Sequence, residues 1–200
     1  STGGVVSVGS TVIVTHANAS GTIYYTVDGS DPRAIGDAIN SSAISYSAPI
    51  PIATSSQVRA RVRSGSNWSP VVEASFYPVQ DYSQLLLSEL MFNPPASGAT
   101  PGDELEFLEF KNAGTNTIDL GGASFAGITF QFANGTVLAP GQFLVLGRNA
   151  TALTAKYPGL LVSGIYTGKL DNAGETIALR HPLGATVLSV NYKDSGKWPL

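Results

Sequence analysis

The sequence predicts an all-β protein made of two tandem antiparallel β-sandwiches. Apolar and polar residues alternate in short runs bounded by Gly, Pro, Asn and Asp, a pattern typical of antiparallel strands. Glycine and proline supply 22 and 12 of the 200 residues, so the chain turns often. A hydrophobic fraction of 43% with only 12% charged residues argues against disorder. A chain of 200 residues suits one large β domain or two domains of about 100 residues each.

Four of the candidate strands in the first part of the chain stand out, at residues 11–16, 22–27, 57–63 and 71–76. The third of these alternates most cleanly. Its Val58, Ala60 and Val62 predict a buried face, and the residues between them predict a face in solvent. Tyr77-Pro78 is predicted to close the unit, and residues 79–84 carry no periodicity, as in a linker. The first domain is therefore predicted over residues 1–78.

A second series of strands follows, predicted at residues 85–92, 105–110, 130–132, 136–138, 143–146, 176–180 and 185–192. Asn134-Gly135 predicts a type I′ hairpin between the third and fourth of them. A short helix is predicted over residues 149–157, capped by Asn149 or Thr151. The second domain is predicted over residues 85–200. Six or seven strands in each half is the number expected of two immunoglobulin-like sandwiches.

Charge and composition exclude several classes of function. Residues 1–78 balance four arginines against four carboxylates, whereas residues 79–200 hold seven basic and ten acidic groups and carry the whole net charge of −3. This charge gives no field that attracts nucleic acid or anionic lipid, and no apolar run approaches the roughly 20 residues that insert in a membrane. The absence of cysteine excludes thiolate zinc sites and cysteine nucleophiles. Because the chain opens at Ser1 without a basic or apolar leader, we expect it to be a segment of a longer protein.

Three blocks of the first half resemble the C-terminal domain family of chitobiases and β-hexosaminidases. They are the run IYYTVDGSDP at residues 23–32, the run YSAPI at residues 46–50 and the run VRARV at residues 58–62. The resemblance covers residues 5–77. It implies a small fibronectin-III-like sandwich that accompanies secreted bacterial proteins, including glycoside hydrolases. It implies no hydrolase activity, because the catalytic barrel of those enzymes is a separate domain.

The second half resembles the bacterial lamin tail domain family over residues 85–199. The matching blocks occur in the order of that family, at residues 86–94, 102–112, 118–122, 138–145, 172–179, 187–192 and 198–199. His181 departs from the pattern, which often has Asp in this turn. The resemblance implies an immunoglobulin-like sandwich that accompanies secreted or surface-attached hydrolases and nucleases, with a role in binding or attachment. It also leads us to expect that Trp198 packs on the second sandwich.

Two acidic segments raise the question of a metal or catalytic site. Asp28 and Asp31 could offer carboxylates to a calcium ion, although we favour two tight turns in which they accept hydrogen bonds from local amides. Asp103 and Glu104 are a second place for such an ion. Strand alternation puts Glu104 and Glu106 on one face, about 6.6 Å apart. We favour a face in solvent over a paired-carboxylate site, which requires a cleft.

The first domain also carries the candidate ligand-binding residues. Arg59, Arg61 and Arg63 line one strand face at a spacing of about 6–7 Å, which suits successive anionic groups of a polymer. A polar outer face balanced by neighbouring carboxylates is the alternative that we favour. The indole of Trp68 could stack on a sugar ring or cover the edge of the core, and the two readings stand equal. His16 and the histidine of the second domain lack catalytic or zinc-binding partners, so no catalytic residue, metal or cofactor is predicted.

These observations together predict a non-catalytic accessory module of a larger protein that is secreted or on the cell surface. We expect it to mediate attachment to a polysaccharide, a cell-surface component or a protein, beside the neighbouring domains of the full-length protein. Two alternatives stay open. One is a rigid spacer with no ligand of its own, and the other is a hydrolase with an unrecognised carboxylate site.

Overall fold

The structure is a computed structural model that describes residues 3–18 and 20–195. The chain divides into two compact units, Ser1–Gln80 (unit 1) and Asp81–Leu200 (unit 2). Strands dominate both units, as the sequence predicts. None of the helices in the described residues is long and apolar enough to cross a bilayer. Trp198, which we expected to pack on the second sandwich, lies outside the described residues.

The described part of unit 1 contains eight strands. They are β1 (Gly4–Val6), β2 (Thr11–Val12), β3 (Thr22–Thr26), β4 (Ile44–Ser45), β5 (Ile50–Pro51), β6 (Ser56–Ser64), β7 (Asn67–Trp68) and β8 (Val72–Pro78). The main sheet has the order β1-β8-β6-β3-β4, with β7 paired to β6, and β2 and β5 form a small second sheet. Strands β1 and β8 run parallel, whereas the other pairs of this unit are antiparallel.

The alternation predicted for β6 is confirmed at Val58 and Ala60, which are buried at 4% and 3% exposure, whereas Val62 is half-buried. The three arginines of the strand alternate with these residues and lie on the opposite, outer face. The buried side packs in a small core with Ile50, Ile52 and Phe76. Burial of these aliphatic and aromatic side chains stabilises the sandwich by about 1.5–3 kcal/mol each.

Two details of unit 1 differ from the prediction. The strand predicted at residues 11–16 pairs only over Thr11–Val12, because its partner β5 is two residues long. The last strand, predicted to end at Phe76, runs on through Tyr77 and Pro78, because β1 supplies a parallel partner for both residues. A proline is tolerated there since it lies at the end of its strand.

The described part of unit 2 contains nine strands and one α-helix. They are β9 (Leu85–Met91), β10 (Phe107–Asn112), β11 (Ile118–Asp119), β12 (Ser124–Ala126), β13 (Val137–Leu138), β14 (Phe143–Gly147), α1 (Ala150–Lys156), β15 (Val162–Ile165), β16 (Thr176–Arg180) and β17 (Thr186–Asn191). Sheets of the orders β15-β14-β10-β9 and β12-β16-β17 enclose the core, beside the pair β11-β13. Leu108, Leu146, Leu170 and Tyr192 are fully buried in it.

The predicted short helix is confirmed as α1. Asn149 is its N-cap, and the Asn149 side chain accepts a hydrogen bond of 3.0 Å from the Ala152 amide. Strand β15 was not predicted. It runs parallel to β14 after the crossover through α1, and Gly164 lies so close to Phe130 that a Cβ would be 2.6 Å from Cε2 of its ring.

The hairpin predicted at Asn134-Gly135 is wrong. A type I′ turn requires a positive φ at both central residues. Gly135 has a φ of 80°, but Asn134 does not have a positive φ, because Asp37 is the one non-glycine in the described residues that does. The Thr136 amide donates to the Ala133 carbonyl across the turn, and β13 pairs with β11 instead of residues 130–132. Tertiary pairing thus overrides the local signal of the dipeptide.

Candidate functional site

The outer face of β6 in unit 1 holds the three arginines that the sequence singles out. The first of them, Arg59, stands opposite Glu73 of β8 in the strand register. Its Nε donates a hydrogen bond of 2.8 Å to Glu73 Oε2. Both side chains are substantially exposed, so this pair contributes at most about 1 kcal/mol to stability.

Arg61 makes the strongest of these contacts. Its Nε and Nη2 each donate a hydrogen bond of 2.7 Å to the two carboxylate oxygens of Asp31. The Arg61 guanidinium is the main reason that the pKa of Asp31 falls to about 2, and the Arg33 amide adds to the effect. This bidentate pair ties the loop of residues 31–40 to the outer face of the sheet. The Asn40 side chain secures the loop further by donating to the Asp31 carbonyl.

Arg63 and Trp68 come together with Tyr24, which sequence reasoning did not single out. The Arg63 guanidinium carbon lies 5.5 Å from the centroid of the Trp68 ring, and the Tyr24 ring lies 5.8 Å from it at 58°. The Trp68 Nε1 donates a hydrogen bond of 3.0 Å to the Asp37 carbonyl. All three side chains are half-buried. We call Tyr24, Arg63 and Trp68 the Trp68 cluster.

The carboxylates of Asp28 and Asp31 each accept a hydrogen bond from a backbone amide two residues further along the chain. Asp28 Oδ1 accepts hydrogen bonds from the amide and the hydroxyl of Ser30, at 2.9 and 2.6 Å, and these bonds lower the pKa of Asp28. Gly29 between them has φ of +82°, the left-handed conformation that a tight turn requires. The structure therefore has the two turns that the sequence favoured over a calcium loop. In the described residues, no three His, Asp or Glu side chains are grouped to hold a metal ion.

Unit 2 overturns the prediction that Glu104 and Glu106 share a face in solvent. Gly102–Leu105 form a 3₁₀ helix, so strand alternation does not apply before Phe107. Glu106 is completely buried, whereas about a third of the Glu104 side chain is exposed. No local pattern in the sequence indicates this burial, because the strand begins one residue after Glu106.

Partners from a distant loop hold the buried Glu106. Its Oε2 accepts a hydrogen bond of 2.9 Å from the Leu170 amide and one of 3.1 Å from the Tyr166 hydroxyl. Burial raises the pKa of Glu106, and the two hydrogen bonds oppose that shift. Burial and the neighbouring Glu106 carboxylate raise the pKa of the Tyr166 hydroxyl. Within the described residues, Glu106 Oε1 has no hydrogen-bond partner.

Cations surround the acidic residues next to Glu106. Arg148 lies 3.8 Å from both Asp103 and Glu104, and Lys169 lies 3.7 Å from Asp103. The cap residue Asn149 donates a hydrogen bond of 2.9 Å to Glu104. This arrangement joins the 3₁₀ helix to the end of β14 and the start of α1. We interpret this arrangement as structural, because Arg148 and Lys169 already neutralise the charges of Asp103 and Glu104.

The structure thus divides the residues that the sequence singled out. Arg63 and Trp68 come together with Tyr24, while Arg59 and Arg61 are each paired with a carboxylate. The burial of Glu106 and its partner Tyr166 were missed, because Tyr166 stands 60 positions further along the chain. A register argument could have found Tyr24, which lies directly opposite Arg61 on the neighbouring strand.

Two family models match the chain. The one described as Lamin Tail Domain matches residues 78–194, and the one described as Fn3 associated matches residues 12–76. Together they confirm the predicted order, a fibronectin-III-like domain followed by an immunoglobulin-like one, and with the strand content they confirm the all-β sandwich class. Comparison with the curated proteins and with the solved structures gives no match.

Proposed function

Because the chain belongs to the Lamin Tail Domain family and carries an Fn3-associated domain ahead of it, we propose that it attaches a larger secreted or surface protein to a polysaccharide. Both domains are of non-catalytic, immunoglobulin-like types, which is consistent with an accessory module. The attachment, the polysaccharide and the extracytoplasmic location are the parts that we add.

The observation that carries the proposal is the Trp68 cluster on the outer face of unit 1. Aromatic rings offer a flat apolar surface on which a sugar ring stacks, and a guanidinium donates hydrogen bonds to hydroxyl or carboxyl groups. Trp68 and Tyr24 present two rings 5.8 Å apart, and Arg63 supplies the cation beside them. The cluster therefore combines both kinds of contact at one place on the sheet.

The state of the carboxylates supports a role without catalysis. A glycosidase needs two carboxyl groups that flank a substrate in a cleft. Here Asp31 and Glu73 are paired with arginines of β6. Glu106, whose raised pKa would suit a general acid, is fully buried and bound to Tyr166 and Leu170. A hydrolase would require these contacts to open.

A specific contact also favours the spacer as a second candidate. The Trp68 Nε1 donates to the Asp37 carbonyl, and Arg61 binds Asp31 in the same loop. These bonds fix the loop of residues 31–40 on the sheet. In a spacer, the cluster would serve stability alone and would bind no ligand.

A glycan array probed with the full chain separates the two candidates. We expect binding to at least one polysaccharide, and we expect Trp68→Ala to weaken it at least tenfold. Phe143→Ala is the matched control, because Phe143 of unit 2 is 52% exposed and Lys111 Nζ lies 4.9 Å from its ring centroid. Circular dichroism checks that each variant is folded. Absence of binding to every glycan, or equal losses in both variants, would favour the spacer.

A further inference from the structure

Unit 1 contains an apolar groove between residues 12–18 and the start of β8. One part of the groove has a volume of about 320 Å³ and a second part has about 350 Å³. The two parts share Val14, Thr15, Ala60 and Val72, so they form one continuous depression. We call it the β2–β8 groove. It lies between the two layers of the sandwich and not on the outer face that carries the Trp68 cluster.

The floor of the groove is an inner sheet face that the second layer leaves uncovered. Val72 stands opposite Ala60 in the register of β6 and β8, so both side chains point to the inner face. Ala60 is 3% exposed, but Val72 is 61% exposed. The second layer is too short to cover it, because β2 and β5 pair over only two residues each. Inner faces of sandwiches are normally covered by side chains of the opposite sheet.

One rim of the groove is a backbone segment that forms no strand pairing in the described residues. Beyond Val12, residues 13–18 make no backbone–backbone hydrogen bond there. The Val14 amide donates to the Tyr46 hydroxyl at 3.3 Å. Ile13 on the same segment is 70% exposed. An unpaired strand edge of this kind is a template for another strand.

The other rim is the start of β8. The described part of β1 pairs with Phe76–Pro78, and Gly3 approaches the Ser75 backbone so closely that a Cβ would lie 2.2 Å from its carbonyl oxygen. Alternate residues of a strand turn their backbone groups to the same edge. Glu73, two residues before Ser75, therefore turns its N–H and C=O to this edge at a point that the described part of β1 does not reach.

We propose that the β2–β8 groove binds an extended peptide segment of a partner protein, which adds a strand to unit 1. Only another backbone can pair with the free backbone groups of the rim at strand spacing, about 4.7–4.9 Å. A segment of about six residues spans residues 13–18. Its alternate side chains that face Ala60 and Val72 are small and aliphatic, because these two floor residues are themselves aliphatic, although Arg61 and Glu73 also line the groove. This proposal goes beyond polysaccharide attachment and concerns a different surface.

Hydrogen exchange of the full chain, with and without a synthetic peptide, tests this site. The probe is the peptide KTVTVTVTK, and its control carries proline in place of the central valine. We expect saturable binding of the probe, at least tenfold slower exchange at residues 13–18 and at Glu73, and no effect of the control peptide. Slower exchange at the β4 edge instead, or no saturable binding, would overturn the proposal.

Matched variants keep the test independent of folding. Val72→Lys places a charge in the groove and Thr15→Pro removes an amide from its rim, so each is expected to weaken peptide binding at least tenfold. Ile44→Lys is the control, because Ile44 is a 51% exposed aliphatic residue of β4 at the opposite edge of the main sheet. Unchanged binding in both groove variants would overturn the site. Dimerisation of the chain that protects residues 13–18 without peptide would assign the groove to a second copy and also overturn it.

Discussion

Replacement of Glu106 by alanine probes how unit 2 is held together around a buried carboxylate. Glu106→Ala removes the acceptor of two buried donors, the Leu170 amide and the Tyr166 hydroxyl. Each unsatisfied buried donor costs about 1–3 kcal/mol. Burial of the Glu106 charge is itself unfavourable and raises its pKa, so its removal offsets part of the loss. We expect a net destabilisation of about 2–4 kcal/mol.

Glu106→Gln separates the acceptor from the charge. The amide oxygen of glutamine can accept both hydrogen bonds, so this variant is expected to lose about 1 kcal/mol or less. Glu104→Ala is the surface control, because Glu104 is about a third exposed and is expected to contribute less than about 1 kcal/mol. Glu106→Gln and Glu104→Ala each remove one negative charge from the cluster of Asp103, Glu104 and Glu106.

Urea unfolding of the full chain measures these free energies, and hydrogen exchange of the Leu170 amide assigns the change to unit 2. The second readout is needed because the two units need not unfold together. Faster exchange at Leu170 in Glu106→Ala, but not in Glu106→Gln, is the expected pattern. Equal losses in Glu106→Ala and Glu104→Ala would show that the buried acceptor does not stabilise unit 2, as would a loss below about 0.5 kcal/mol in Glu106→Ala.

Three further predictions concern contacts elsewhere in the two units. The pKa of Asp31 is lowered to about 2 by Arg61, so the contribution of this carboxylate to stability is present above pH 4 and is lost as the pH falls toward 2. Asp31→Asn is expected to remove this part of the acid dependence of unfolding, measured by urea titrations between pH 2 and 5. Asn149→Ala removes the N-cap of α1 and is expected to lower the free energy of unfolding by about 1 kcal/mol, unlike Asn149→Asp. Gly164→Ala places a Cβ 2.6 Å from the Phe130 ring and is expected to cost about 1–3 kcal/mol in thermal unfolding, whereas no change would show that the ring moves freely.

A second pH effect follows from Glu106 and has the opposite sign. The pKa of Glu106 is raised in the folded state, so the folded chain holds this proton more tightly than the unfolded chain does. The resulting contribution to stability is fully present below pH 4.5, the usual pKa of glutamate, and is lost as the pH rises. The groups that face it are Tyr166, Asp103 and Arg148. We expect Glu106→Gln to gain stability relative to the wild-type chain as the pH increases from 4 to 8. A constant difference over this range would contradict a raised pKa.

Local patterns in the sequence were sufficient where one element decides its own structure. The alternation along residues 57–63 predicted both faces of β6, since period-two burial is a property of the strand itself. Asn149 before a short helical run predicted the cap of α1 for the same reason. The resemblances then supplied the order of the two domain types, which no local pattern contains.

The missed features depend on contacts between distant residues. The buried environment of Glu106 requires Tyr166 and Leu170, which are more than 55 positions away. Asn134-Gly135 is a strong hairpin signal, but β13 pairs with β11, which lies earlier in the chain, and not with residues 130–132. Arg63 and Trp68 were each singled out from the sequence, but their contact was not predicted, because it depends on the pairing of β6 with β7, and Tyr24 comes from a third strand.

Polysaccharide attachment is tested most directly by cosedimentation of the full chain with insoluble polysaccharides such as chitin, cellulose and peptidoglycan. We expect the wild-type chain to pellet with at least one of them. Trp68→Ala is predicted to stay in the supernatant, while Phe143→Ala pellets like the wild type. A wild-type chain that stays in the supernatant with every polysaccharide, or a Trp68→Ala variant that pellets equally well, would contradict attachment through the Trp68 cluster.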